Sequence, residues 1–193
     1  HVPAVAPAIR LEAWLLQAEL EEARTNWIAA GLALSNAAAL ATDPMQVRRT
    51  QTAWGLMQLR SGALSEGTER LQRVIAEAPE EPQAPMLQMA VARAFQRAGR
   101  AADAEAHYQF YLESFTNTEG VVDAQEGRGW ALFDLGRFAE SAAAFDRAAL
   151  LSPDPAERAR LRFKAGDACF ANGQYQLAAD AYRQMIDLAS VPA

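Results

Sequence analysis

Gly62, Gly99, Gly136 and Gly173 stand 37 residues apart each time. A fixed period of this size is the signature of a stacked array, in which one supersecondary unit recurs and each copy buries its apolar face against the next. The clearest unit runs from Gly129 to Pro153, GWALFDLGRFAESAAAFDRAALLSP. It reads as two short amphipathic helices joined by a tight turn at Gly136-Arg137. Aligning the chain from residues 11, 48, 85, 122 and 159 gives further columns. The eighth reads Ala18, Gly55, Ala92, Gly129, Gly166, and the twentieth reads Ala30, Gly67, Ala104, Ser141, Ala178. All ten are small, as close helix approach requires. The twenty-fourth reads Leu34, Leu71, Tyr108, Phe145, Tyr182, large side chains suited to fill the space the small ones leave. Two small columns, a large column and a glycine column in one register exceed what an alanine-rich composition produces by chance.

These columns resemble the tetratricopeptide repeat, whose pattern is W-x2-L-G-x2-Y, then A-x3-F, then P over 34 residues. The matching residues are Gly129 or Gly166, Ala104 or Ala178, the aromatics Tyr108, Phe145 and Tyr182, and Pro79 and Pro153. The resemblance covers residues 9 to 189. In the first repeat it departs from the pattern, with Thr25 in the place of the turn glycine and Glu21 in the usual aromatic column. It implies an all-α fold, an α-solenoid of about five helix pairs in a right-handed superhelix. The repeats fall at about 9-44, 45-81, 82-118, 119-155 and 156-193, after an extended arm at 1-8. The three residues beyond the family's period fall after the second helix, and such longer repeats resemble those of bacterial envelope assembly lipoproteins.

Helices are expected at Ile9 to Ala23, Asn26 to Ala41, Gln46 to Arg60, Ser65 to Ala78, Met86 to Ala98 and Ala101 to Phe115. After Glu119 comes the fourth pair, then Ala156 to Asn172 and Tyr175 to Ala189. Asn26 is placed to cap its helix. Thr42-Asp43-Pro44 reads as the end of repeat one, Thr116 or Thr118 as a cap, and Pro155 as a first-turn residue. The Pro-rich APEEPQAP at 78-85 is the expected place for a bend between repeats.

Composition bounds the chemistry. The chain is 51% hydrophobic and 22% charged, ordinary for a folded protein. A net charge of −6 opposes nonspecific nucleic-acid binding, which needs clustered Lys and Arg. No apolar run approaches the roughly 20 residues that span a bilayer. With neither a signal peptide nor an initiating Met, the sequence reads as a mature form or an excised segment. The single Cys169 falls in a first-helix core column and reads as a buried small hydrophobe. His107 sits beside Tyr108 in a column expected to face outward. No His/Cys/Asp/Glu set has metal-ligand spacing, and Gly127-Arg128-Gly129 lies inside a helix rather than before one. The acidic pairs Glu21-Glu22 and Glu80-Glu81 read as solvated surface. No cofactor, metal or catalytic group is expected, and the chain reads as a non-enzyme.

The resemblance also places function. In that family the first helices line a concave groove through their second, fifth, ninth, twelfth and thirteenth columns. Carried over, repeat three offers Arg93 and Arg97, repeat four Trp130 and Phe133, and repeat five Phe163, Asp167 and Phe170. Aromatics and Arg dominate binding hot spots, although such aromatics also pack between adjacent first helices. Arg93 and Arg97, four apart on one helical face, are placed either to grip a ligand carboxylate or to pair with Asp123, Glu126 or Asp134. The chaperone-tail binders of the family carry a Lys and Asn clamp in columns five and nine. Here those columns hold Leu15/Glu19, Thr52/Leu56, Met89/Arg93, Glu126/Trp130 and Phe163/Asp167, so an acidic chaperone tail is disfavoured. The expected role is a scaffold that holds a protein or peptide partner in the groove, with room for self-association and no direct membrane span. The alternative is an assembly or positioning module of a larger, bacterial cell-envelope protein that acts through its ends and edges.

Overall fold

A computed structural model describes residues 6-116 and 119-189. Among these residues ten α-helices and no strands are found. They are α1 (Pro7–Ala23), α2 (Trp27–Leu40), α3 (Pro44–Ser61), α4 (Leu64–Glu77), α5 (Ala84–Arg97), α6 (Ala101–Ser114), α7 (Val121–Asp134), α8 (Phe138–Leu151), α9 (Pro155–Ala171) and α10 (Tyr175–Ala189). The fold is the all-α solenoid of helix pairs that the period demands. The chain divides into two compact units, His1–Leu87 and Gln88–Ala193, just past the Pro-rich connection. In the first, α1 packs on α2, α2 on α3 and α3 on α4; in the second, α6 packs on α7, α7 on α8, α8 on α9 and α9 on α10.

The turn inside each pair is a backbone requirement. Gly62, Gly99, Gly136 and Gly173 have φ of 90°, 70°, 72° and 74°, and a Cβ added at any of them would meet nothing within 4 Å. Glycine is there for the left-handed conformation, not for room. Thr25, again 37 residues before Gly62, adopts φ 57°. The first turn therefore keeps the geometry although the residue is β-branched, a conformation that costs roughly 1–2 kcal/mol relative to glycine. The same closing bond recurs across these turns: Asn26 N–H donates to Glu21 C=O at 2.9 Å, Arg100 to Phe95 at 3.0 Å, Arg137 to Leu132 at 2.9 Å and Gln174 to Cys169 at 2.9 Å.

The eighth-column glycines answer a different need. A Cβ on Gly129 would lie 2.8 Å from the Phe145 ring, and one on Gly166 would lie 2.5 Å from Tyr182. The small residue on the first helix is the socket for the large residue on the second. Gly55 and Gly67 bring backbone to backbone, since a Cβ on Gly67 would sit 2.9 Å from the Gly55 carbonyl oxygen. All ten small-column residues are buried. Apolar clusters run through the described chain, among them Leu11, Leu15, Leu34, Ala37 and Met57 across α1 to α3; Phe145, Ala148, Ala149, Leu161 and Ala165 across α8 and α9; and Ala142, Ala168, Cys169 and Ala178 across α8 to α10. Fully burying one such Leu or Phe side chain contributes about 1.5–3 kcal/mol.

Several local readings change. Pro44 does not end repeat one. Asp43 accepts the Gln46 N–H at 2.9 Å as N-cap, and Pro44 opens α3, because an Asp-Pro pair serves the start of a helix as readily as the end of a loop. Pro7 likewise opens α1 inside the expected arm; residues 1-5 lie outside the described chain. Asn26 caps α2 through the Ala29 N–H, and Asp154 caps α9 through that of Ala156, ahead of Pro155. Thr116 caps nothing, since α7 begins after Gly120 without a side-chain cap, and Thr118 lies outside the described residues. His107 does not face outward. Its ring stacks on Phe95 at 5.0 Å between centroids, and its Nδ1 lies 3.2 Å from the amide nitrogen of buried Gln88, so burial lowers its pKa.

Candidate functional site

The residues singled out above lie on α5, α7 and α9, the first helices of the second unit. Charged side chains bridge these helices in rungs. Arg93 on α5 donates to Asp123 on α7 at 2.7 Å, both side chains about half exposed. Arg160 on α9 holds Glu126 on α7 with both nitrogens of its fork, one contact at 2.8 Å. The Arg160 guanidinium hydrogen-bonded to Glu126 draws that carboxyl below the usual range, and Glu126 raises the Arg160 pKa in return. Arg97, in the last turn of α5, is exposed, and no ion pair to it forms among the described residues. Between the first two helices opens a small polar cleft of about 160 Å³, lined by Arg93, Gln96, Tyr108, Asp123, Glu126 and Trp130 among others. The Tyr108 hydroxyl donates to Gln96 at 2.6 Å, and burial pushes its pKa up to about 12.

The aromatics divide into two sets. Trp130 is half-buried. It meets Phe145 edge-on at 5.3 Å and Phe133 at 6.2 Å, and it packs against the α8–α9 cluster. Phe133 meets Phe138 at 5.1 Å and packs against the α8–α10 cluster. Phe163 and Phe170 on α9 are instead 39% and 59% exposed. Phe163 touches the Tyr182 ring at 5.6 Å, and Phe170 lies 5.3 Å from exposed Tyr175. Asp167 sits between them in sequence and accepts the Tyr182 hydroxyl at 3.0 Å, with the Lys164 ammonium 3.7 Å away. Burial and that carboxylate both raise the Tyr182 pKa, burial more.

Two participants escape the groove columns. The Lys164 ammonium lies 5.0 Å from the Trp130 ring and 5.3 Å from Phe163, a cation over two aromatic faces. Its column is not one that faces the groove in the family, so only the neighbouring Phe163 signalled it. Tyr175 begins α10, and its approach to Phe170 depends on how tightly the Gly173 turn closes. No three His, Cys, Asp or Glu side chains among the described residues are grouped so as to hold a metal ion, and no described helix is long and apolar enough to cross a membrane.

A stack of helix pairs whose outward chemistry is a row of ion-pair rungs and aromatic edges has the form of a protein-interaction scaffold. The tetratricopeptide repeat family model matches residues 89–157 and 128–191, and the chain belongs to that family. No curated protein sequence matches it. Among solved structures the chain is similar to BtubC (BKLC) from P. vanneervenii, with TM-score 0.65 and 17% identity over 90% of this chain and 77% of that one. It is similar to MamA AMB-1, with TM-score 0.64 and 18% identity over 96% and 95%. It is also similar to a Podosopora anserina kinesin light chain-type protein of nearly identical TPR-like repeats, with TM-score 0.67 and 18% identity over 96% and 97%. At these identities the likeness shows the fold. Arrays of this family are generally scaffolds for protein partners rather than enzymes.

Proposed function

We propose that the face formed by α7 and α9 holds a peptide or a partner helix, without catalysis, and that Phe163 and Phe170 are its apolar anchors. The observation that carries this is their exposure, 39% and 59%, on the same first helix. Exposed aromatics flanked by charge are the side chains that dominate binding energy. Asp167 lies between the anchors on α9, Arg93 and Arg97 lie on α5, and Trp130 and Phe133 are the partly buried rings of α7, with the Lys164 ammonium over both Trp130 and Phe163. The Arg93–Asp123 rung is a solvent-facing pair worth roughly 0–1 kcal/mol, so a ligand carboxylate or guanidinium exchanges into it at small cost, whereas the Arg160 rung is held on a Glu126 side chain that is only 19% exposed. With its cations largely engaged in such pairs and a net charge of −6, the chain is not suited to nucleic acid.

The test is capture of partners by the wild type and by Phe163→Ala/Phe170→Ala, with melting recorded on the same samples. The expected result is a partner lost on the order of a thousandfold in affinity, from roughly 2 kcal/mol per anchor, with melting lowered by no more than a few degrees. Unchanged binding, or a collapse of melting, would show that the partner docks elsewhere or that these rings are core.

A further inference from the structure

α1 is apolar on both faces. Leu11, Leu15 and Ala18 point into the first core cluster. On the opposite side Ile9, Ala13, Leu16 and Leu20 follow the i, i+4, i+7, i+11 spacing of a second stripe, all exposed, with Leu16 at 63% and Leu20 at 46%. Their counterparts in later repeats have a clear role. Column three holds Thr50, Ala124 and Leu161 on α3, α7 and α9, and column ten holds Met57, Ala131 and Ala168; all six are at most 5% exposed. The second helix of the preceding repeat covers these faces: Met57 clusters with Ala33 and Ala37 of α2, Leu161 with Phe145 and Ala148 of α8, and Tyr108 of α6 reaches over Gly127 of α7. The outer stripe of α1 is therefore the stacking face of the repeat with no second helix seated on it among the described residues.

α2 extends this surface. It carries no charged residue, and Ile28 and Leu32 are exposed where later repeats place Ser65, Ala102, Ala139 or Gln176 and Glu69, Ala106, Ala143 or Asp180. Leu32 lines a mainly apolar groove of about 350 Å³ with Ala13, Trp14, Gln17, Ala29 and Ala33. α10, the last of the described helices, is a second helix of its pair. Column twenty-seven, through which Ala37 of α2 and Ala148 of α8 meet the following first helix fully buried, holds half-buried Met185 in α10.

We infer that the α1–α2 face takes α10 of a second copy of this chain, which continues the array from one molecule to the next. The contact repeats an interface the chain already makes at α2–α3 and α8–α9, so the occupant it fits is a second helix of the same repeat. Head and tail are different surfaces, so the association is heterologous and extends with concentration rather than closing at a two-fold dimer. This goes beyond partner binding on α7 and α9 and does not depend on it.

The test is light scattering across concentration on the 193-residue chain, with helicity checked by circular dichroism. Wild type is expected to grow in mass with concentration. Leu20→Glu, or Leu16→Glu as a second head variant, is expected to require roughly a hundredfold more protein to associate, because a charge then faces an apolar contact. Met185→Glu, or Met185→Gln should the first variant lose helicity, is expected to do the same from the tail. The deciding arm mixes head and tail variants. Each keeps one intact surface, so the mixture forms one-to-one complexes although neither variant associates alone. A wild type that stays monomeric at its solubility limit overturns the inference and leaves the face to another protein. A Met185 variant that still associates while the Leu20 variant does not overturns it too, since α1 would then pair with α1.

Discussion

At the α7–α8 turn the chain places Gly136 at φ 72°, and Arg137 beyond it grips Glu140 with two nitrogens, at 2.7 and 2.6 Å. At the α1–α2 turn the same backbone is built around Thr25 at φ 57°. There buried Glu21 takes the column held by Leu132 in repeat four. Its carboxylate accepts from Gln17 at 2.7 Å, Asn26 at 3.0 Å and Arg24 at 3.4 Å. In repeat four a flexible residue makes the turn and an apolar one fills beneath it; in repeat one a hydrogen-bonded carboxylate holds a turn that its own residue resists. The difference teaches that the repeat conserves a backbone path and a packing volume, and that side-chain chemistry is free wherever either is met by another route.

The largest effect should come where path and volume both leave no slack. Gly67→Ala places a methyl 2.9 Å from a carbonyl oxygen and 3.0 Å from the Leu59 nitrogen, neither of which can step aside. Repeat one holds Ala30 natively in that column. The expected loss is roughly 2–3 kcal/mol by denaturant titration, and a neutral result would break the claim that this crossing is tighter than the first. Next, Glu21→Ala should cost about 1–3 kcal/mol by stranding the Gln17 and Asn26 donors. An effect below about 0.5 kcal/mol would mean that the network does not hold the turn. Thr25→Gly should raise stability by about 1 kcal/mol while Gly136→Ala lowers it by a similar amount; matching signs would contradict the shared geometry.

The smallest effect is with pH. The folded-state pKa of Glu126 is depressed, so its contribution to stability is fully present above the unfolded value of about 4.3 and is lost as pH falls through the lower folded value. Unfolding midpoints of wild type and Glu126→Gln should converge below that range and separate above it. A gap that instead widens on acidification would contradict the Arg160 assignment.

Much of this was legible in the residues. The glycine period, the small columns and the large column are local in sequence and map directly onto turns and sockets. Register at residue 25 was harder, because a β-branched residue gives no sign that its φ is positive when the cause is a carboxylate four residues earlier. Pro44 misled because its neighbour Asp43 caps forward rather than closing backward. On the α7–α9 face, the columns identified which residues to consider but not which are covered. Trp130 and Phe163 look alike in their columns. Only the seating of Trp130 against Phe145 and Phe133 separates it from the exposed ring. His107 was misplaced for the same reason, since Phe95 reaches it from twelve residues away.

That division of the aromatics is what the functional account rests on, and one paired measurement reaches it directly: the unfolding free energies of Trp130→Ala and Phe170→Ala. Removing a ring packed against the α8–α9 cluster should cost about 3 kcal/mol or more, whereas removing one that is mostly in solvent should stay within about 0.5 kcal/mol. Two equal losses would make Phe170 core and remove the anchor from the proposed binding face. Two negligible ones would place Trp130 at the surface and remove its separation from the exposed rings.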